Sequence, residues 1–265
     1  MKKNHKMKKR VFLSMLVCLM ASAIYAQDTL RIMTINVHQG SDTTLQAIGE
    51  FVKMYHPDLV ALQELDMWPQ RAEAPKQKGK NFIAELSYYT DMMGYFGKAW
   101  DHPGGWTYGN GILSKYPVDK VENFILPQDK SKGEIEPRQI IIAHINIHGK
   151  KVCFASTHLC YKYKENRMKQ MKHIHKLMRK QPENIKIVCG DFNAYLSENL
   201  VSKGMKQWHD VLPMVYTFPS DGNAYFKFDY ILVPNKSDIQ VLNTSLECDP
   251  KITDHCACIA EIVVP

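Results

Sequence analysis

The sequence contains no Cys-x-x-Cys pair, so neither a clustered-thiolate zinc site nor a dithiol redox motif is supported. It has no internal repeat, no low-complexity segment and no stretch with the composition of a linker, which argues against repeat architectures. No acidic residue precedes Asp28. The most apolar run, from Val11 to about Ile24, is too short and too one-sidedly flanked for a good permanent membrane span.

What is present at the start explains those last two features. Six cationic side chains (Lys2, Lys3, Lys6, Lys8, Lys9, Arg10) precede the apolar run, and Tyr25-Ala26-Gln27 closes it with a plausible cleavage site. This is the layout of a secretory signal peptide, so residues 1–26 are expected to be removed and 27–265 to form the mature protein, periplasmic or secreted. An uncleaved anchor is the alternative; Met15-Leu16-Val17 before Cys18 is a poor lipoprotein signal, so no lipid anchor is expected. The whole chain carries +7, and losing the six leading charges leaves the mature protein near +1. Overall charge therefore says nothing in favour of nucleic acid. Six cysteines follow the leader, an even count that permits disulfides in an exported protein. Cys153, Cys189, Cys256 and Cys258 sit in apolar runs, where buried free thiols are expected.

The 265 residues suffice for one large domain or two small ones. Residues 30–37 read as a first strand and 41–55 as an amphipathic helix with Leu45, Ile48, Val52 and Tyr55 on one face. Leu59-Val60-Ala61-Leu62 is a second strand ending at Gln63-Glu64, and 67–80 reads as a long polar loop. A short helix is expected over 81–87, strands over 108–114 and 118–125, and a hairpin of 138–147 with 151–156. Residues 164–181 form the clearest helix, with Met168, Met171, Ile174 and Met178 as its stripe. Strands over 225–233, 239–242 and 256–263 complete the set. Runs of strands with few helices imply layered α/β packing, two sheets face to face with helices outside.

One stretch organises the rest: Ile185-Lys186-Ile187-Val188-Cys189 is a buried strand that meets Gly190, then Asp191 and Asn193 two positions apart. Taken alone it is an Asx-type turn. Other polar residues close apolar strands in the same way: Asn36, Glu64 and His158. Asp229 lies inside the apolar run 226–232, where a carboxylate needs a partner or a metal, and Asp254-His255 opens the final strand.

The ordered set Asn36, Gln63-Glu64, Ser156-Thr157-His158-Leu159, Gly190-Asp191-Phe192-Asn193, Asp229-Tyr230 and Asp254-His255 resembles the endonuclease/exonuclease/phosphatase family. The likeness runs from about Leu30 to the C-terminus. It implies a single α/β domain, a four-layer α/β/β/α sandwich of two mixed sheets, with the site at one end of both. Phe228 stands where that family usually has an aliphatic residue, and Thr253 where serine is commoner; neither change removes a reacting group.

The resemblance implies in-line attack of an activated water on a phosphate ester. Glu64 is the expected metal ligand, with Asn36 and Asp254 completing or adjoining the site, and a hard-oxygen set favours Mg²⁺ or Mn²⁺. His255 is the expected general base, oriented by Asp229. Asp191 would position the water or help deprotonate it, Asn193 would donate to a phosphate oxygen, and His158 would bond the phosphate from the other side. Arg138 matches the family's phosphate-contacting arginine, a structural salt bridge being the alternative.

The substrate the resemblance implies is a phosphate ester, whether nucleic acid, phospholipid headgroup or small ester. No protein partner is implied and a monomer is expected. Lys164, Arg167, Lys169, Lys172, Lys176, Arg179 and Lys180 read as a solvated helix face, or as a patch attracting polyanions. A sphingomyelinase-like enzyme would need an apolar membrane-contacting loop, and residues 67–80 are too polar to supply it convincingly. A non-catalytic binding protein of the same fold is the remaining alternative, against which the intact set of Glu64, Asp191, Asn193, Asp229 and His255 speaks.

Overall fold

Apolar side chains fill both faces of strands β1 (Thr29–Asn36) and β2 (Leu59–Met67), and of β7 (Lys150–His158) and β8 (Ile185–Asp191). Strands of this kind must be covered on both sides. β1 and β2 are parallel neighbours in one sheet, and β7 and β8 in the other. The computed structural model describes residues 29–129, 131 and 136–265. The expected leader, 1–26, lies outside the described residues.

Around these parallel pairs the remaining strands are antiparallel: β3 (Met93–Asp101), β4 (Thr107–Ser114), β5 (Val118–Ile125), β6 (Gln139–Ile147), β9 (Trp208–Asp210), β10 (Asp229–Pro234), β11 (Gln240–Glu247) and β12 (Ala257–Val263). The first sheet runs β11-β12-β1-β2-β4-β3 and the second β5-β6-β7-β8-β10-β9, six strands each. Ile32, Ala61 and Ile112 of the first meet Ile141, Phe154, Ile187 and Ile231 of the second in the core between them.

Helices cover both outer faces. Ile48 and Val52 of α1 (Leu45–Met54), with Phe82 and Leu86 of α2 (Phe82–Thr90), pack on Met33, Ile35, Val60 and Leu62. Met171, Ile174 and Met178 of α3 (Lys164–Lys180) pack on Ile140, Ile142, Cys153 and Val188. The short α4 (Leu200–Gly204) lies beside α3. This is the expected α/β/β/α order.

Several local expectations change. α1 starts at Leu45 because Thr44 caps it, its hydroxyl accepting from Ala47 N at 3.2 Å. β3 and β9 have no counterpart in the sequence reading: β3 is an edge strand whose run contains Gly94 and Gly97 and shifts register between Lys98 and Trp100, and β9 spans only 208–210. Residues 225–228 form an irregular aromatic segment preceding β10. Arg167 leaves the basic helix face, buried in an ion pair with Glu198. Cys256 is not a free thiol; it is bonded to Cys248, whereas Cys153, Cys160, Cys189 and Cys258 are free and buried.

Candidate active site

Strand direction places the site. Asn36, His158 and Asp191 are the last residues of β1, β7 and β8. Asp229 opens β10, antiparallel to β8, and His255 shortly precedes β12, antiparallel to β1. All therefore lie at one end of the sandwich. In the second sheet His158, Asp191 and Asp229 are direct neighbours across the ladder.

Glu64 does not close its strand, contrary to the sequence reading. β2 continues to Met67, and Gln63 with Glu64 form a bulge between Leu62, paired with Gly111, and Leu65, paired with Gly109. Glu64 has φ 61°, a left-handed conformation uncommon outside glycine. The bulge turns its carboxylate out of the ladder and toward the rim. There Oε1 accepts from Asn36 Nδ2 at 3.0 Å and Oε2 from Gln39 Nε2 at 2.6 Å. Gln63 points the other way, buried, bonding Thr34 at 3.3 Å and Ser156 of the facing sheet at 3.2 Å.

Gly190 is demanded by space and not by a turn. Its φ is +149°, and a Cβ there would lie 1.9 Å from the Thr157 carbonyl oxygen. The strand passes through it to Asp191. Asp191 is 1% exposed, yet Oδ1 accepts from Asn193 N at 2.8 Å and Oδ2 from Asn36 Nδ2 at 3.1 Å. Asn193 takes φ 49°, which brings its amide Nδ2 within 2.7 Å of His158 Nε2.

Arg138 joins the site from the loop before β6. Its Nη1 lies 3.0 Å from His158 Nδ1 and donates to the Tyr108 hydroxyl at 3.3 Å; Nη2 pairs with Glu136 at 3.0 Å. A guanidinium can only donate, so His158 Nδ1 accepts from Arg138, while Nε2 lies between the Asn193 amide at 2.7 Å and Asp191 Oδ2 at 3.4 Å. Burial, then the charges of Arg138 and His255, hold the His158 pKa well below the usual imidazole range. The ring is neutral.

His255 is the opposite case. Nδ1 lies 2.8 Å from Asp229 Oδ2, and Nε2 lies 3.7 Å from Asp191 Oδ2. Burial alone would lower its pKa, but the carboxylates of Asp229 and Asp191 outweigh burial and raise it. Burial also pushes the Asp191 carboxyl up, against the His255 charge. Asp229 is completely buried, and its second oxygen has no partner. Asp254 is half-exposed, 3.7 Å from His38 Nδ1, which also contacts Asp42 at 2.8 Å.

Every candidate residue thus lies at this rim: Asn36, Glu64, Asp191, Asn193, His158 and Arg138 in one bonded network, Asp229 with His255 beside it, and Asp254 next to His255. Gln39 and Tyr108 complete that network. Tyr108 stands out in sequence only as one of several aromatics that could stack on bases or meet a lipid headgroup; sequence reasoning missed Gln39, which sits in a short turn with φ 54°.

The family model for "Endonuclease/Exonuclease/phosphatase family" matches residues 33–255, which spans every one of these side chains. The chain belongs to this family. The Escherichia coli protein YbhP is 25% identical over 255 residues, covering 89% of this chain and 97% of that one. An endonuclease/exonuclease/phosphatase structure from Beutenbergia cavernae superposes with a TM-score of 0.71 at 18% identity, covering 89% of this chain and 72% of that one. The Bacteroides thetaiotaomicron mannosyl-6-phosphatase Bt3783 does so with 0.67 at 15%, covering 88% and 99%.

Members of the endonuclease/exonuclease/phosphatase family are typically phosphoester hydrolases that use divalent metals. The residues present fit such an ion. Glu64, Asp191, Asp229 and Asp254 gather at one rim around His255 and Arg138, and Glu64 and His255 both act electrostatically on Asp254, whose pKa burial raises. The donors nearest Glu64 are oxygen and amide groups with no thiolate, the chemistry of a hard cation.

Proposed function

We propose that the chain is an exported, divalent-metal-dependent phosphoester hydrolase using direct in-line attack by water. The observation that carries this reading is the Asn36 amide bonded at once to Glu64 and Asp191, with His255 and Asp229 beside them. That places a metal-type carboxylate, a proton acceptor and an imidazole around one small volume. Glu64, with Asn36 and Asp254, would hold Mg²⁺ or Mn²⁺. Such an ion, when bound, offsets charge developing on the phosphate oxygens.

The chain's own groups divide the remaining work. His158, Asn193 and Arg138 bind and orient the phosphate from one side. Removal of the water proton falls to the Asp191–His255 pair, whose charges act on each other across 3.7 Å so that the two titrate as a unit. Asp229 steadies the imidazolium from the far nitrogen. The substrate class is a phosphate ester, whether nucleic acid, lipid headgroup or small ester; the mannosyl-6-phosphatase likeness supports including monoesters.

Residues 27–265, purified, are to be assayed with Mg²⁺, Mn²⁺ or chelator on plasmid DNA, RNA, bis-p-nitrophenyl phosphate, sphingomyelin, inositol phosphates and mannose 6-phosphate. Turnover that needs the metal is expected on at least one. Its absence on all would favour a binding protein. Export is tested separately by the mass of the protein recovered from the periplasm or medium, which should begin at Gln27.

A further inference from the structure

The first sheet ends on an edge strand, β11, whose only strand partner among the described residues is β12. Leu246 pairs with Cys258 and Glu247 with Ala257 at the end of that ladder. One step further, Cys248 and Cys256 are joined by a disulfide with a sequence separation of 8. The loop it closes carries Asp254 and His255.

We propose that this disulfide is a positioning element of the active site, holding Asp254 and His255 in place against Asn36, Asp191 and Asp229. What those residues do rests on the hydrolase reading above; how their loop is held does not. The loop is held at its start by the Glu247 side chain bonded to Tyr55 and in its middle by Ile252 packed on the apolar layer under α1, and most of its hydrogen bonds lie in its second half. Thr253 Oγ1 donates to Asn36 O at 2.7 Å, Ser220 Oγ to Thr253 O at 2.6 Å, Ser220 N to Asp254 O at 2.8 Å and Cys256 N to Thr217 O at 2.8 Å. Within it, Asp249 turns the chain by accepting from Lys251 N at 2.9 Å and, through its carbonyl, from Ile252 N at 2.9 Å. The Cys248 stem has β11 behind it, and β11 exposes Val241 and Leu242 on the open edge of the sheet.

Ends of edge ladders open with little free energy. Without the cross-link, fraying at Glu247 would pass directly into the loop, and its freed residues would gain conformational entropy. Asp254 and His255 both lie between the two cysteines, so this motion reaches both side chains. The cross-link is also selectively accessible: Cys248 is exposed, while Cys256 and the four free thiols are buried.

The test compares oxidised protein, protein reduced with a water-soluble phosphine, and Cys248→Ala. The phosphine supplies two electrons, giving two thiols and, with water, the phosphine oxide. Three readouts are taken at a temperature where all forms are folded: kcat and KM on bis-p-nitrophenyl phosphate with Mn²⁺, Mn²⁺ affinity from the unbound ion's paramagnetic resonance signal, and amide exchange over residues 249–255. Breaking the disulfide is expected to lower kcat about tenfold with KM little changed, weaken Mn²⁺ binding and speed exchange in the loop, leaving β8 and β10 protected. Reoxidation restores all three. A merely stabilising cross-link would lower only the melting temperature, and that result overturns the proposal. If oxidised protein does not hydrolyse this ester, the kinetic comparison uses whichever of the assayed substrates is turned over, and turnover of none is a failure of the hydrolase reading. Mn²⁺ affinity and loop exchange then decide the positioning role alone, and no change in either overturns it. Should Cys248→Ala not fold, the reduced native sequence carries the comparison.

Discussion

The Asn36 side chain reaches across the sandwich to Asp191: Nδ2 lies 3.1 Å from Asp191 Oδ2 although 155 residues separate them in the chain. Its other contact, 3.0 Å to Glu64 Oε1, makes one amide nitrogen the joint between the two sheets at the site. Asn36→Ala leaves both carboxylates without their shared donor. A loss of roughly 1–3 kcal/mol in stability and of about 10²-fold in kcat/KM is expected. Denaturant melts and steady-state kinetics measure the two, and unchanged kinetics would remove Asn36 from the site.

Glu64→Gln keeps the size of the side chain and the bulge that presents it, but removes the charge. The fold should be intact by circular dichroism while Mn²⁺ affinity, measured by calorimetry, falls at least about tenfold. Native-like affinity would mean that the ion is held elsewhere.

Gly190→Ala puts a Cβ 1.9 Å from a backbone oxygen in the middle of the second sheet, where neither strand can yield. A destabilisation of about 3–5 kcal/mol is expected, at the upper end for point substitutions. A guanidinium titration showing less than about 1 kcal/mol would mean that β7 and β8 are less closely packed here than described.

His255→Ala should abolish turnover yet remain folded, since the ring's one hydrogen bond is to Asp229 and it lies at the rim, not in the core between the sheets. Near-normal rates in this variant would sink the assignment of His255 to proton transfer.

The same residue sets a pH dependence in metal-free protein. Against the lowering effect of burial, Asp229 and Asp191 raise the His255 pKa to about 10, above the ordinary 6.5. A group whose pKa is higher when folded stabilises the fold below its unfolded value and loses that contribution as pH climbs through the folded one. Stability should therefore decline between pH 6.5 and 10, by at most about 1.4 kcal/mol per pH unit. Asp191, also raised, acts in the same direction at lower pH. Melts of the native protein and of His255→Gln across this range should diverge at the acid end and converge toward pH 10; parallel curves would contradict the raised value.

The layered fold and the rim were legible in sequence because burial is written in local periodicity. Strands covered on both faces carry unbroken apolar runs, and a polar residue ending such a run marks where the sheet meets solvent; Asn36, His158 and Asp191 stand out on that ground, and the family resemblance joins them into a site. The stretch around Gly190 shows the limit. In sequence the glycine looked like a turn, but it is a strand residue whose side chain has no room beside Thr157, a fact about the neighbouring strand. Glu64 was placed at a strand end because a two-residue bulge exists only relative to the partner strand it interrupts. The Cys248–Cys256 bond was hidden for the same reason, since only the β11–β12 register brings the two sulfurs together. Residue chemistry by itself determined which groups are candidates for the site. Their spacing, their protonation and the loop that carries His255 depend on contacts between distant segments, and those were decided only when the two sheets closed on each other.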